Sequence, residues 1–271
     1  MSYFTCNSDY AFGLDLSSYN VSRDLQHWPD FTQIQAHSPQ VAFIGLRAGV
    51  SWGFQDPAFK QLAAKASGAG LCLLPYHVIF PSQPAQRQMD NFMRALKGLN
   101  LDRVRLVLDL ELDESLSRAE ITKVLLTCLQ VLHQQTGRLP VIYSRALWVN
   151  EHLRVSDLPH LDWWLAHYAA RQPAPAYTPE QPCPPWLPAG VDHWLIHQTG
   201  DRCPAVGGFG RYMDYDRWNG SHRDVWSYFG HEAGTPNQSS IPLEPGGTAG
   251  NTSGQDCPQT DKICIEEVSH A

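Results

Sequence analysis

Eight short apolar runs recur along this chain: AFGLD, VAFIGLR, GLCLLPYH, VRLVLDLE, PVIYS, WWLAHY, HWLIHQ and a weaker RYMDYD. Runs this continuous read as strands covered on both faces, which is the signature of a mostly parallel sheet packed under helices. Between the early runs the spacing turns helical. Asp56 followed by Pro57 predicts an N-cap and a first helical residue, with Phe59, Leu62, Ala63 and Ala66 on one face and Gly68 as the stop. Gln83 to Gly98 carries Ala85, Met89, Phe92 and Leu96 at helical spacing. Ser117 with Glu120 makes a capping box, Ile121, Val124, Leu125, Cys128 and Leu132 form an apolar face, and Gly137 ends that helix. After Tyr143 these signals fade into Pro-rich loops such as RQPAPAYTPEQPCPPWLP. The alternation predicts an α/β fold, a TIM-like (β/α) barrel that is irregular, with its later helices reduced or missing.

A chain of 271 residues with 43% hydrophobic content has enough apolar surface for one large core. Composition divides it into a barrel over residues 1–230 and a Gly/Pro/Ser-rich segment over 231–271 that reads as mostly disordered. The longest stretch free of Asp, Glu, Lys and Arg, Ala66 to Gln86, contains three prolines and two glycines and predicts no transmembrane span. A net charge of −7 without a basic stripe argues against nucleic acid as a partner. The start MSYFTCNSDYAF has neither a basic n-region nor an apolar h-region, so the expectation is synthesis in the cytoplasm without a Sec signal. Seven cysteines with no Cys-x-x-Cys pair signal no zinc knuckle. Cys72 and Cys128 read as buried thiols, while Cys183 with Cys203, and Cys257 with Cys264, are available to pair in an oxidising compartment.

Nearly every apolar run ends in a polar residue: Asp15, Arg47, His77, Asp109 with Glu111, Ser144, His167 and Gln198. In a barrel the C-terminal strand ends share one face, so these groups are expected to converge there. Residues two apart on a strand point the same way, which turns Asp109 and Glu111 toward the barrel axis and Leu110 outward. Clustered carboxyls raise one another's pKa values and can keep one protonated for general acid work. Glu111, flanked by Asp109 and facing Asp15 and Asp214, is the one expected to hold the proton. A lone Asp-x-Glu at a strand end is ordinarily a solvated turn; the whole set of strand ends favours a cleft. A magnesium or calcium site on Asp109, Glu111 and Asp15 is the weaker alternative, because no EF-hand loop or phosphate-cradling Gly loop accompanies it, and neither metal nor cofactor is expected.

These residues resemble the glycoside hydrolase family 25 lysozymes, the Chalaropsis-type muramidases, from about Phe12 to Gly220. GLDLSSYN is similar to the family's opening strand and maps an active-site aspartate onto Asp15. FIGLRAG, DPAFKQLAAKASGAGL and LLPYHVIF resemble the next strands and helix, LVLDLEL looks like the Asp-x-Glu strand, and VIYS, WWLAHY and MDYDRWNG resemble the last ones, the final aspartate falling on Asp214. Two departures stand out. His197-Gln198-Thr199 replaces the usual Trp-Gln-Tyr, and Asp216 occupies a position where asparagine is more usual, which makes it a rival of Asp214. The resemblance implies hydrolysis of the β-1,4 bond between N-acetylmuramic acid and N-acetylglucosamine in peptidoglycan, with anomeric retention through an enzyme carboxylate or the substrate acetamido oxygen. Glu111 is then the general acid, Asp109 sustains it or orients the acetamido group, and Asp15 and Asp214 stabilise the oxocarbenium-like transition state.

Tyr76 and Tyr168, at strand ends, are the aromatic candidates for sugar contact, with His77, Arg47 and Gln198 as polar ones. Trp163 and Trp164 point to opposite faces of their strand, one buried and one outside the barrel wall or under a loop. The expected partner is the peptidoglycan glycan strand, reached through phage lysis or as a delivered antibacterial effector acting on the wall or periplasm, with an immunity or inhibitor protein as a further partner of an effector. The competing readings are an endo-N-acetylglucosaminidase and a catalytically weak carbohydrate-binding barrel.

Overall fold

The computed structural model describes residues 10–168, 184–207 and 212–230. The chain divides into residues 1–241 and 242–271, and the second unit lies wholly outside the described residues, as does the expected tail over 231–271. Among the described residues there are nine strands: β1 (Phe12–Leu16), β2 (Val41–Val50), β3 (Phe54–Gln55), β4 (Cys72–Val78), β5 (Val107–Asp109), β6 (Val141–Ser144), β7 (Trp163–Ala166), β8 (Ile196–Pro204) and β9 (Tyr212–Trp218). Their order is β1-β9-β8-β7-β6-β5-β4-β2-β3, and β1 also pairs with β2, so eight strands close a barrel while β3 folds back on β2 as a short hairpin.

The barrel is mixed. Every pairing from β1 through β2, β4, β5, β6 and β7 to β8 is parallel, but β9 runs antiparallel to both β8 and β1. Only residues 205–211 separate β8 from β9, too few for the crossover of a dozen or more residues that a parallel strand needs. The expectation that all C-terminal strand ends share one face therefore fails at β9, which presents its N-terminal half there instead.

Among the described residues six α-helices accompany the strands: α1 (Phe31–Gln35), α2 (Phe59–Gly68), α3 (Ala85–Leu96), α4 (Arg118–Thr136), α5 (Ala146–His152) and α6 (His222–Tyr228). The α4 boundaries follow the sequence signals. Ser117 and Glu120 form the capping box, and Gly137 closes the helix at φ 70°, a left-handed conformation that glycine adopts without a Cβ clash. Helix α2 starts at Phe59, two residues later than its Asp-Pro signal; Asp56 still caps the Ala58 amide and also accepts from the Ser18 amide and pairs with Arg47. Beyond α5 no α-helix lies between β7 and β8 or between β8 and β9 among the described residues, as the fading periodicity implied. No helix among them is long and apolar enough to cross a membrane.

Two apolar layers follow from strand alternation. Phe43, Cys72, Leu74, Val107, Val141, Trp164, Ile196 and Trp218 fill the barrel, whereas Leu14, Ile44, Leu73, Leu108, Ile142 and Leu165 pack outward under the helices. Trp163 and Trp164 divide between these layers, and both are buried. Gly13 and Gly45 make room for the interior rings: a Cβ on Gly13 would lie 2.2 Å from the Phe43 ring, and one on Gly45 2.4 Å from Trp164. Burial pushes the Cys72 and Cys128 thiols up to about 12, so both stay neutral. Cys203 is a free buried thiol donating to the Gly200 carbonyl; Cys183, with which it was expected to be able to pair, lies outside the described residues along with Cys257 and Cys264.

Candidate active site

At one mouth of the barrel three strands bring four aspartates together. Asp15 lies near the end of β1, Asp109 ends β5, and Asp214 and Asp216 stand two apart on β9, in register so that Asp214 is directly opposite Asp15. Asp15 and Asp109 are almost wholly buried, Asp216 wholly so, and Asp214 is partly exposed. Burial, the largest cause, lifts Asp15 from the ordinary 3.8 to about 6, with hydrogen bonds from Gln198, Asp214 and Asp216 holding it down. Asp214 and Asp216 are raised further, first by burial and then by the charge on Asp15. Asp216 Oδ1 accepts from Trp164 Nε1 at 2.8 Å, while its Oδ2 meets no protein donor. Two ionised carboxyls do not share such a space, so Asp216 and Asp214 carry protons toward Asp15, the first of the three to ionise.

Asp109 is the deepest group on the other side. Burial, then the charges of Glu111 and Asp15, raise its pKa well above the usual carboxylate range, against the pull of Arg47 and Arg145. Glu111 follows β5 in an irregular segment, because the strand covers only Val107–Asp109 and not the expected span from Val104 to Glu111. The early part of that run stays beside its neighbours through a Val104 bridge to Leu73 and bonds from Arg105 N to the Leu73 carbonyl and from Val141 N to the Leu106 carbonyl, while the Arg105 guanidinium bonds the Tyr228 carbonyl. Glu111 nevertheless faces the mouth, since its charge acts on Asp109, Asp15, Tyr143 and Tyr168, and its Oε2 lies 3.4 Å from Arg145 Nε. Asp109 is stripped of water by burial, while Glu111 beside it retains solvent and a guanidinium.

Gln198 on β8 ties the two sides together. Its Nε2 donates to Asp15 Oδ2 at 2.7 Å, and its Oε1 accepts from the Tyr143 hydroxyl at 2.7 Å and also from the Tyr168 hydroxyl. That orientation of the amide is the only one that serves both kinds of neighbour, a carboxylate that needs a donor and two phenols that need an acceptor. Tyr76 on β4 is half-buried and feels the charges of Asp15, Arg47 and Asp109, so it belongs to the mouth as expected. Arg47 is there too, but held: its Nε pairs with Asp56 at 2.9 Å, its Nη2 bonds Ser18 Oγ, and Tyr19 covers it at 4.8 Å.

His77 is not there. Next to inward Tyr76 on β4 it necessarily points outward, where it stacks on Phe92 of α3 at 5.0 Å and bonds the Ser51 carbonyl through Nε2 at 2.8 Å. Burial drops its pKa to about 4, so it is a neutral packing residue and not a sugar contact. Ser144 donates to the Leu110 carbonyl and braces the segment that carries Glu111. His167 lies tilted against Trp186 at 4.6 Å. The sequence reading passed over Tyr143, Arg145 and Trp164 as site residues, and treated Asp216 only as a rival to Asp214. Tyr143 alternates inward on the expected strand PVIYS, a signal that was present; Arg145, just beyond that strand, carried none.

The arrangement is a cleft with a buried carboxyl beneath a solvent-reachable one, opposed by a second acidic group, which suits acid-assisted cleavage of a glycosidic bond. Among the described residues, the one group of three side chains close enough to share a metal ion lies elsewhere, at His160, Asp192 and His193. A family model for "Glycosyl hydrolases family 25" matches residues 14–206. The chain belongs to glycosyl hydrolases family 25. It is thereby a glycoside hydrolase by family, and the matched span contains Asp15, Asp109, Glu111 and Gln198 but ends before Asp214. A curated relative, the uncharacterized protein YegX of Escherichia coli O157:H7, is 26% identical over 216 residues, which cover 80% of this chain and 72% of that protein. The bacterial lysozyme from Streptomyces coelicolor shares the fold at a TM-score of 0.67 and 20% identity, covering 82% of this chain and 97% of its own. The muramidase from Trichobolus zukalii does so at 0.62 and 23%, covering 81% and 99%. These likenesses fix the family 25 barrel as the fold.

Proposed function

We propose that this family 25 glycoside hydrolase is an N-acetylmuramidase that cleaves the β-1,4 bond between N-acetylmuramic acid and N-acetylglucosamine in peptidoglycan. The observation that carries the reading is the pair of acids after Val107: Asp109 buried and raised in pKa, Glu111 reachable from solvent beside Arg145, both turned toward Asp15. Glu111, the exposed member, delivers the proton to the leaving oxygen. Asp109 beneath it keeps the pair singly protonated and orients the substrate acetamido group, the two titrating as a unit. Asp15, ionised from about pH 6 upward, faces the positive charge that develops on the sugar ring, while protonated Asp214 supplies a hydrogen bond. The fold shared with a lysozyme and a muramidase supports this choice of substrate. Such an enzyme acts on the wall or periplasm after lysis or delivery; as a delivered effector it is matched by an immunity protein that fills the cleft.

The test is digestion of purified peptidoglycan followed by borohydride reduction and mass spectrometry of the products. Reduced muramic acid at the new ends is the expected result. Reduced glucosamine makes the chain an N-acetylglucosaminidase, and binding without new ends makes it a carbohydrate-binding barrel; either outcome overturns the proposal.

A further inference from the structure

At the end of the barrel opposite the acids, the chain entering β7 and the chain entering β8 bring two histidines and two aspartates together. His160 and Asp162 precede Trp163, and Asp192 and His193 precede Ile196 by a few residues. One ligand atom each from His160, Asp192 and His193 lies within 4.8 Å of the other two. The His160 and His193 rings stack at 4.5 Å and 8°. His193 Nδ1 is 2.9 Å from Asp192 Oδ1, and its Nε2, buried and without a hydrogen bond, is 3.5 Å from Asp162 Oδ1. The other oxygen of Asp162 accepts from the Tyr228 hydroxyl of α6 at 2.7 Å.

We propose that His160, Asp192 and His193 form a binding site for one divalent transition-metal ion, with zinc the best match to two imidazoles and a carboxylate. Imidazole nitrogens with a carboxylate oxygen suit zinc, copper or nickel and disfavour magnesium and calcium, which take oxygen ligands. Ligands about 2.1 Å from a tetrahedral centre stand about 3.4 Å apart, so the set must close somewhat on binding. His160 and Asp192 are exposed and able to make that movement, His160 by rotating out of its stack. Asp162, held by Tyr228, stands against the second nitrogen of His193 as the kind of outer partner that fixes a ligating imidazole. The site joins the entry of β7, the segment ahead of β8 and, through Tyr228, α6. Its effect is on the stability of the barrel's closed end, not on the glycosidic chemistry at the other mouth.

The experiment uses the full chain without a histidine tag, stripped with chelator and titrated with ZnCl2 by calorimetry, then with cobalt chloride for its visible d–d absorption. One ion per chain at micromolar affinity or tighter, tetrahedral cobalt bands, and a rise in Tm of about 5–10 °C with zinc at a hundredfold excess over Kd are expected. His160→Ala, an exposed position that tolerates truncation, lowers affinity at least about tenfold, and Tyr228→Phe about tenfold while removing no ligand. Peptidoglycan cleavage by His160→Ala stays at the wild-type level. Zinc taken up only at millimolar concentration, or bound equally by wild type and His160→Ala, overturns the proposal.

Discussion

Replacing Asp15 by asparagine tests the electrostatics of the mouth directly. Burial raises this carboxyl from 3.8 to about 6, so the folded protein favours its protonated form, and the stability which that preference confers is present below pH 3.8. As pH rises through the window between 3.8 and 6 the group must ionise in place, and about 3 kcal/mol is surrendered. Asparagine never ionises. It keeps an oxygen to accept from Gln198 Nε2. Asp15→Asn is therefore expected to gain up to about 3 kcal/mol at pH 8 relative to wild type and almost nothing at pH 3.5. For a barrel of this size that corresponds to a Tm increase of about 6–12 °C at the higher pH. Urea unfolding at the two pH values measures it, and muropeptide release by the same variant is expected to fall at least about tenfold with loss of the facing charge. A variant that is destabilised at pH 8, or that gains equally at both pH values, refutes the reasoning.

Glu111→Gln keeps the shape of the proposed acid and removes its proton, so peptidoglycan cleavage should drop by about 10² to 10⁴ while binding survives. Asp113→Asn, an exposed position 3.7 Å from His152, is the control and should be silent in the same reducing-end assay; the reverse pattern would falsify the acid assignment. His77→Ala removes the ring stacked on Phe92 and leaves the Ser51 carbonyl without that donor, and should destabilise by about 2–4 kcal/mol in urea. Its KM for peptidoglycan should stay unchanged, whereas a raised KM with normal stability would restore His77 to the cleft.

What the sequence by itself determined is what depends on neighbours along the chain. Alternation turned Asp109 and Glu111 toward the axis, and the capping box at Ser117 with Gly137 bounded α4, because side-chain direction in a strand and the needs of helix ends are local properties. The same alternation, applied to β4, would have turned His77 outward; reading every strand-end polar group as a cleft residue was the error. Tertiary structure alone decided the rest. The reversal of β9 sets Asp214 opposite Asp15 and buries Asp216 on the Trp164 indole, a pairing of residues 52 positions apart. Gln198 joins Asp15 across 183 positions and takes the Tyr143 hydroxyl across 55. The raised pKa of Asp109 likewise follows from burial and from charges brought in by other strands. Closure of the barrel creates those distances, and no periodicity along the chain encodes them.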